Sequence, residues 1–172
     1  MSHVRLLYHI VFRTQHGRKS ITEEYERELY QYFLDTIDKN KKCKLYRIGG
    51  TEDHVHFLVG IRTNITLKRF LRDVQFESAR WLRGNPRFPR FENWAFDFAC
   101  FTCNPGDKEV LIEVIKNQKQ HHETVSFEEE YCQLLAENDF KIDENYFLGS
   151  RPYSAPQEDA NMGTRTGCLI ES

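Results

Sequence analysis

Two histidines one residue apart, His54 and His56, lie in the stretch Gly49-Gly50-Thr51-Glu52-Asp53-His54-Val55-His56-Phe57-Leu58-Val59-Gly60-Ile61. Val55, Phe57, Leu58, Val59 and Ile61 are β-branched, aromatic or aliphatic and the run is bounded by glycines, which is strand rather than helix composition. On a strand, residues i and i+2 share a face and stand about 6.6 Å apart along the chain. The two imidazoles are thus presented side by side, with Val55 on the opposite face. Neutral imidazoles so placed can converge on one metal ion through bonds of about 2.1 Å. Histidines with this spacing also occur as plain polar residues on a half-exposed face, so the rest of the chain must decide between the two readings.

A third donor comes from the segment Leu111–His122. Positions 114, 118 and 122 are four apart and share one helical face, which carries Val114, Gln118 and His122. The amide oxygen of Gln118 completes a set of two imidazoles and one amide with open positions. That set suits Mg²⁺ or Mn²⁺ working on phosphate better than a closed structural zinc site. The five cysteines are odd in number and scattered, unlike a disulfide framework. Cys100 and Cys103 sit three apart in an apolar strand-like run, where they face opposite sides and have no second pair to work with.

The elements that must position these donors follow from periodicity. Val4 to Arg13 is a strand with few breakers. From Ile21 to Asn40 the apolar positions Ile21, Tyr25, Leu29, Phe33 and Ile37 predict an amphipathic helix with Ser20 as its N-cap. Cys43 to Ile48 is a second strand, Gly49-Gly50 a turn, and the His-Val-His strand follows. Thr66 caps a second helix to about Leu82, and Gly84-Asn85-Pro86 and Pro89 break the chain. Trp94 to Thr102 is a fourth strand and Lys108 to His122 a third helix. Ser126 and Glu129 form a capping box that opens a fourth helix through about Glu137.

The order β-α-β-β-α-β followed by helices is that of an α+β, ferredoxin-like split βαβ fold. It implies an antiparallel sheet with helices on one face plus C-terminal helices. Residues 1–149 form one domain by this reading. Residues 150–172 turn to Pro, Ser, Gly, Thr and Asn and read as a disordered tail. No apolar run approaches the roughly 18 residues of a membrane span, and no basic-then-apolar leader is visible. The expectation is a soluble, cytoplasmic protein without a membrane partner.

Net charge is only −2, but its distribution is uneven. Arg62, Lys68, Arg69, Arg72, Arg80, Arg83, Arg87 and Arg90 are opposed between them only by Asp73 and Glu77, whereas the chain after Gln120 is acidic. A basic middle suggests a polyanion across one side of the fold, with Arg69, Arg72, Arg80 and Arg83 as candidate phosphate contacts. A solvated helix face explains each of them equally well.

Taken together, His54-Val55-His56, the aromatic strand after Trp94, the Ile115–His122 helix, Ser126–Tyr131 and Asn145-Tyr146-Phe147-Leu148-Gly149 resemble the HUH-type single-tyrosine transposases, specifically the REP-associated branch. The resemblance covers about Val4 to Gly149. It implies recognition of single-stranded DNA, typically an imperfect hairpin, and a divalent metal on His54, His56 and Gln118 that polarises the scissile phosphate. A helix tyrosine then attacks to give a 5′-phosphotyrosine intermediate. Relatives include monomers and dimers with composite sites, so a homodimer is compatible with it.

One departure stands out. The family's nucleophilic tyrosine lies four residues before the glutamine, and that position here is Val114, which has no nucleophilic atom. The leading expectation is therefore a transposase-like protein that binds hairpin DNA with impaired or lost strand transfer. The alternatives are a metal-dependent nicking enzyme using water or another tyrosine (Tyr8 or Tyr131), and a non-catalytic RNA-binding or structural ferredoxin-like module.

Overall fold

Alternation along one strand sets the architecture. In His54–Gly60 (β3), Val55, Phe57 and Val59 point to one side and His54, His56 and Leu58 to the other, and all six are buried. A strand buried on both faces must lie inside a sheet that is covered on both sides. The computed structural model describes residues 3–141. Within them, Leu7–Thr14 (β1), Lys44–Gly50 (β2), β3 and Trp94–Thr102 (β4) form an antiparallel sheet in the order β2-β3-β1-β4. With Glu26–Leu34 (α1) and Leu67–Gly84 (α2) inserted after β1 and β3, this is the expected ferredoxin-like arrangement.

α1 and α2 cover the first face. Leu29 and Phe33 of α1 and Phe70, Leu71, Val74 and Leu82 of α2 meet Ile10, Phe12, Val55, Phe57, Val59 and Trp94 of the sheet. Each such side chain removed from water contributes about 1.5–3 kcal/mol. Trp94 Nε1 donates to Ser78 Oγ at 2.9 Å, so the largest core ring leaves no polar atom unpaired.

Lys108–Lys116 (α3), Gln118–His121 (α4) and Phe127–Glu137 (α5) lie on the second face. There Phe127, Tyr131 and Leu135 of α5 pack on Val11, Ala99 and Phe101. Gly49 explains how α3 comes so close. It pairs with His56 across the sheet, and a Cβ on it would stand 2.2 Å from the Ile115 carbonyl oxygen. Only glycine admits this approach.

Two local signals read from sequence recur: Thr66 accepts from the Arg69 N–H at the start of α2, and Ser126 and Glu129 form a capping box on α5. Other boundaries differ. β1 begins at Leu7 rather than Val4. The expected helix over 21–40 is a 3-10 turn at Glu23–Tyr25, then α1, then a π turn at Asp35–Asn40. Ser20 is no N-cap; it is buried and its N–H donates to the Glu52 carbonyl, joining the chain before α1 to the β2–β3 turn. Gly49 and Gly50 end β2 instead of turning, and the reversal falls at residues 51–53. The single helix expected over 108–122 breaks at Asn117, whose φ of −95° and ψ of 16° leave the helical region. The Asn145–Gly149 stretch and the tail at 150–172 lie outside the described residues. Among the described residues no helix is long and apolar enough to cross a membrane.

Candidate metal centre

Strand geometry presents His54 and His56 together on the second face, with ring centroids 5.1 Å apart. α4 and α5 close over them. Gln118, the first residue of α4, is buried, and its Oε1 lies 3.2 Å from His54 Nε2. Gln118 is therefore brought to one ring of the imidazole pair. The structure also brings two groups that the spacing did not single out as donors: His122, just after α4, and Glu130 from α5. His122 Nε2 is 3.1 Å from Gln118 Oε1 and 2.9 Å from Glu130 Oε2. Gln118 Nε2 donates to Glu130 Oε1 at 2.8 Å. One ligand atom each from His54, His56, His122 and Glu130 lies within 4.8 Å of all the others.

Each imidazole is oriented from outside. Asp53 Oδ1 stands 2.6 Å from His54 Nδ1, and Thr51 Oγ1 donates to the same carboxylate at 2.8 Å. His9 of β1, stacked on His56, places its Nε2 2.9 Å from His56 Nδ1. His122 Nδ1 donates to the Val125 carbonyl at 2.7 Å. All three rings thus have Nδ1 engaged at the periphery and Nε2 turned to a common centre. This is the outer-shell pattern of metal-ligating histidines.

Two details show that the centre suits a cation. His56 Nε2 is buried without a hydrogen-bond partner, Glu130 Oε2 standing 3.4 Å away in a purely electrostatic contact. In neutral His54, an Nδ1–H given to Asp53 leaves the Nε2 lone pair facing the Gln118 amide oxygen, so two acceptors meet with no proton between them. Turning the amide over would set its oxygen against Glu130 instead.

The electrostatics agree. Burial lowers His9 to about 3 and His56 to about 4, so both rings are neutral at physiological pH. His122 is pulled down by burial but raised further by its bonds to Glu130 and to the Val125 carbonyl. Burial alone would raise the Glu130 carboxyl. The bond to His122, the close approach of the His56 ring and the bond to Gln118 outweigh it and hold the group well below the usual carboxylate range.

The other sequence candidates lie elsewhere. Val114 is on α3, 47 % exposed. Arg69, Arg72, Arg80 and Arg83 are on α2, which covers the face of the sheet opposite the histidines, so the fold does not bring them to the centre. Arg69 and Arg72 approach Asp73, and Arg83 donates to the Glu92 carbonyl. Tyr8 packs with the α1–α2 core, and Tyr131 is buried among Val11, Phe127 and Leu135. His9 and Asp53 were overlooked as orienting residues. A histidine inside an apolar strand is the signal for the first, and an acid adjacent to a histidine for the second. Glu130 was hidden in an acidic run.

A groove of about 500 Å³ runs along edge strand β2 between α1 and α3–α4 and reaches Gln118. Its lining includes Arg27, Arg47, Lys116 and Lys119 with Tyr30 and Tyr46, against the acid Glu26. Lys119 is paired with Glu23 and Glu26, and Lys116 with Glu113.

Residues 2–118 match the family model described as "Transposase IS200 like". No curated protein matches the chain. Among solved structures, a candidate transposase from Deinococcus radiodurans R1 is similar at TM-score 0.51 and 21% identity, covering 68% of this chain and 93% of that one. A REP-associated tyrosine transposase bound to a REP hairpin is similar at TM-score 0.53 and 13% identity, covering 94% and 100%. At these identities the two likenesses bear on the fold, and the family match spans more than half of the sequence. The chain belongs to the IS200-like transposase family.

Proposed function

We propose that this protein binds hairpin or single-stranded DNA through one domain, residues 1–149, and does so without tyrosine-mediated strand transfer. The observation that carries the reading is the basic, aromatic-lined groove along β2 whose lining includes Gln118, the residue that contacts His54 of the metal-donor cluster from within the fold. Guanidinium and ammonium groups follow a phosphate backbone, and tyrosine rings accept unstacked bases of any sequence. The α2 arginines Arg69, Arg72, Arg80 and Arg83 remain candidates for a stem that extends round the outer face. A neighbour of the same fold is a hairpin complex, which supports the substrate class.

Loss of strand transfer follows from Val114, taken as the counterpart of the family's nucleophile. A hydrocarbon side chain can form no phosphotyrosine bond. A bound divalent ion would neutralise charge on a scissile phosphate. Around it, Asp53, His9 and the Val125 carbonyl would hold the imidazoles with their lone pairs inward.

A second reading is favoured by the unpartnered His56 Nε2. Here His54, His56 and Gln118 would hold Mg²⁺ or Mn²⁺, which would offset charge on a phosphate open to attack by water. Release of a shortened strand with no protein–DNA adduct would establish it.

Binding of a labelled hairpin, measured against duplex of equal length over a range of salt, tests the leading reading. Hairpin should compete better, and log K should fall by about 0.7 per log unit of salt for each single-strand phosphate contact. Equal binding of hairpin and duplex, or affinity flat in salt, would remove it.

A further inference from the structure

We propose that the ion this chain holds is a transition metal of the zinc class, bound by four protein donors: Nε2 of His54, His56 and His122, and the carboxylate of Glu130. This rests on the reading of the cluster as a metal site, but changes its ligands and its chemistry. Two imidazoles and an amide leave positions open for phosphate and suit a hard ion. Three imidazoles and a carboxylate fill a tetrahedral shell and favour a borderline-soft ion over Mg²⁺.

The geometry points to these four. Their ligand atoms lie within 4.8 Å of one another. Donors of one tetrahedral ion with bonds of about 2.1 Å stand about 3.4 Å apart, so Glu130 Oε2, at 2.9, 3.4 and 3.9 Å from the three Nε2 atoms, already lies near its place, and the widest pairs must draw in by about an ångström or more. His54, His56 and His122 each have Nδ1 engaged from outside, by Asp53, His9 and Val125 respectively. Glu130 is 2.9 Å from His122 Nε2, 3.4 Å from His56 Nε2 and 3.9 Å from His54 Nε2, nearer the centre than any other acid among the described residues. Gln118, bonded to Glu130 through Nε2, is then the residue that steers the carboxylate.

Such a centre ties β3 to the turn after α4 and to α5, two neighbouring elements that lie far from β3 in sequence. It also fills the coordination positions that a scissile phosphate would need. In a chain with valine at 114, the metal then serves to fasten the C-terminal helices over the sheet.

The test is metal binding by the full chain after removal of metal with a chelator. Co²⁺ should bind one per chain with the strong visible absorption of a four-coordinate ion. Zn²⁺ should displace it and Mg²⁺ in large excess should not, and Zn²⁺ should raise the melting temperature. Glu130→Gln keeps the side-chain size and should weaken Zn²⁺ binding by about tenfold or more and change the Co²⁺ spectrum; His122→Asn should do the same. Circular dichroism of the metal-free variants checks that they fold.

Unchanged Zn²⁺ affinity and Co²⁺ spectrum in Glu130→Gln, with binding lost in His56→Ala, would overturn the four-donor assignment and leave the two-histidine, one-amide site standing. A six-coordinate, weakly absorbing Co²⁺ complex in the unaltered chain would overturn it as well. Hairpin binding in the presence of chelator reports separately on the DNA reading, since that reading places the DNA contacts in the groove.

Discussion

The two faces of the sheet are built from alternate residues of the same strands yet do opposite work. On the α1–α2 side, Phe12, Phe33, Phe57, Phe70 and Trp94 interlock, and Trp94 Nε1 is paired with Ser78. On the α3–α5 side, a smaller apolar cluster sits beside four histidines, Gln118 and Glu130, all packed close together, with His56 Nε2 left without a partner. One face supplies most of the folding free energy. The other carries a polar network that an apolar filling would stabilise at least as well. Groups kept at that cost, with their outer nitrogens fixed and one inner nitrogen, His56 Nε2, unsatisfied, point to a ligand and not to packing.

Substitutions on either side should separate stability from metal binding. The largest stability effect is expected on the first face. Phe57→Ala should cost about 3–5 kcal/mol in chemical denaturation, with metal binding lost only through unfolding. Its neighbour His56→Ala should remove metal binding while the metal-free chain keeps its circular dichroism. If the two variants behave alike, the division between the faces is wrong.

Gly49→Ala comes next and tests the connection between them. The added Cβ meets the Ile115 backbone carbonyl, so α3 must move, at about 1–3 kcal/mol, and Gln118 with it. Metal affinity should fall too, read by competition with a chelating dye; unchanged affinity would separate α3 placement from the centre. Asp53→Asn removes the carboxylate that sets the His54 tautomer. It should reduce metal affinity about 10–100-fold with little change in melting temperature. Val114→Tyr should have the smallest effect on stability, within about 0.5 kcal/mol, because the side chain is half in solvent. With Glu130 closing the ion's shell, this variant should form a covalent adduct with hairpin DNA only when combined with Glu130→Gln. An adduct from Val114→Tyr alone would show that the centre is open to phosphate.

What could be read from the sequence was mostly local. Period-2 alternation in residues 54–60, the Thr66 cap and the Ser126–Glu129 box depend on neighbours a few residues away, and they recur in the structure. Gln118 was placed beside His54 by combining strand and helix periodicity. Non-local features were less accessible. Glu130 is 76 residues from His54 and one of three consecutive acids, and only the packing of α5 selects it. Gly49-Gly50 looks like a turn because a glycine needed for close approach and one needed for reversal have the same letter. Charge spacing marks the α2 arginines as candidate contacts for a polyanion across one side of the fold, but which side that is, the face opposite the histidines, is set by crossover topology.

The most direct test of the account is to incubate the unaltered full chain with an end-labelled hairpin in Mn²⁺ and compare native with denaturing gels. The account predicts a shifted complex on the native gel, and on the denaturing gel free, full-length DNA with no protein attached. A covalent protein–DNA band, or a cleaved strand that depends on His56, would contradict it.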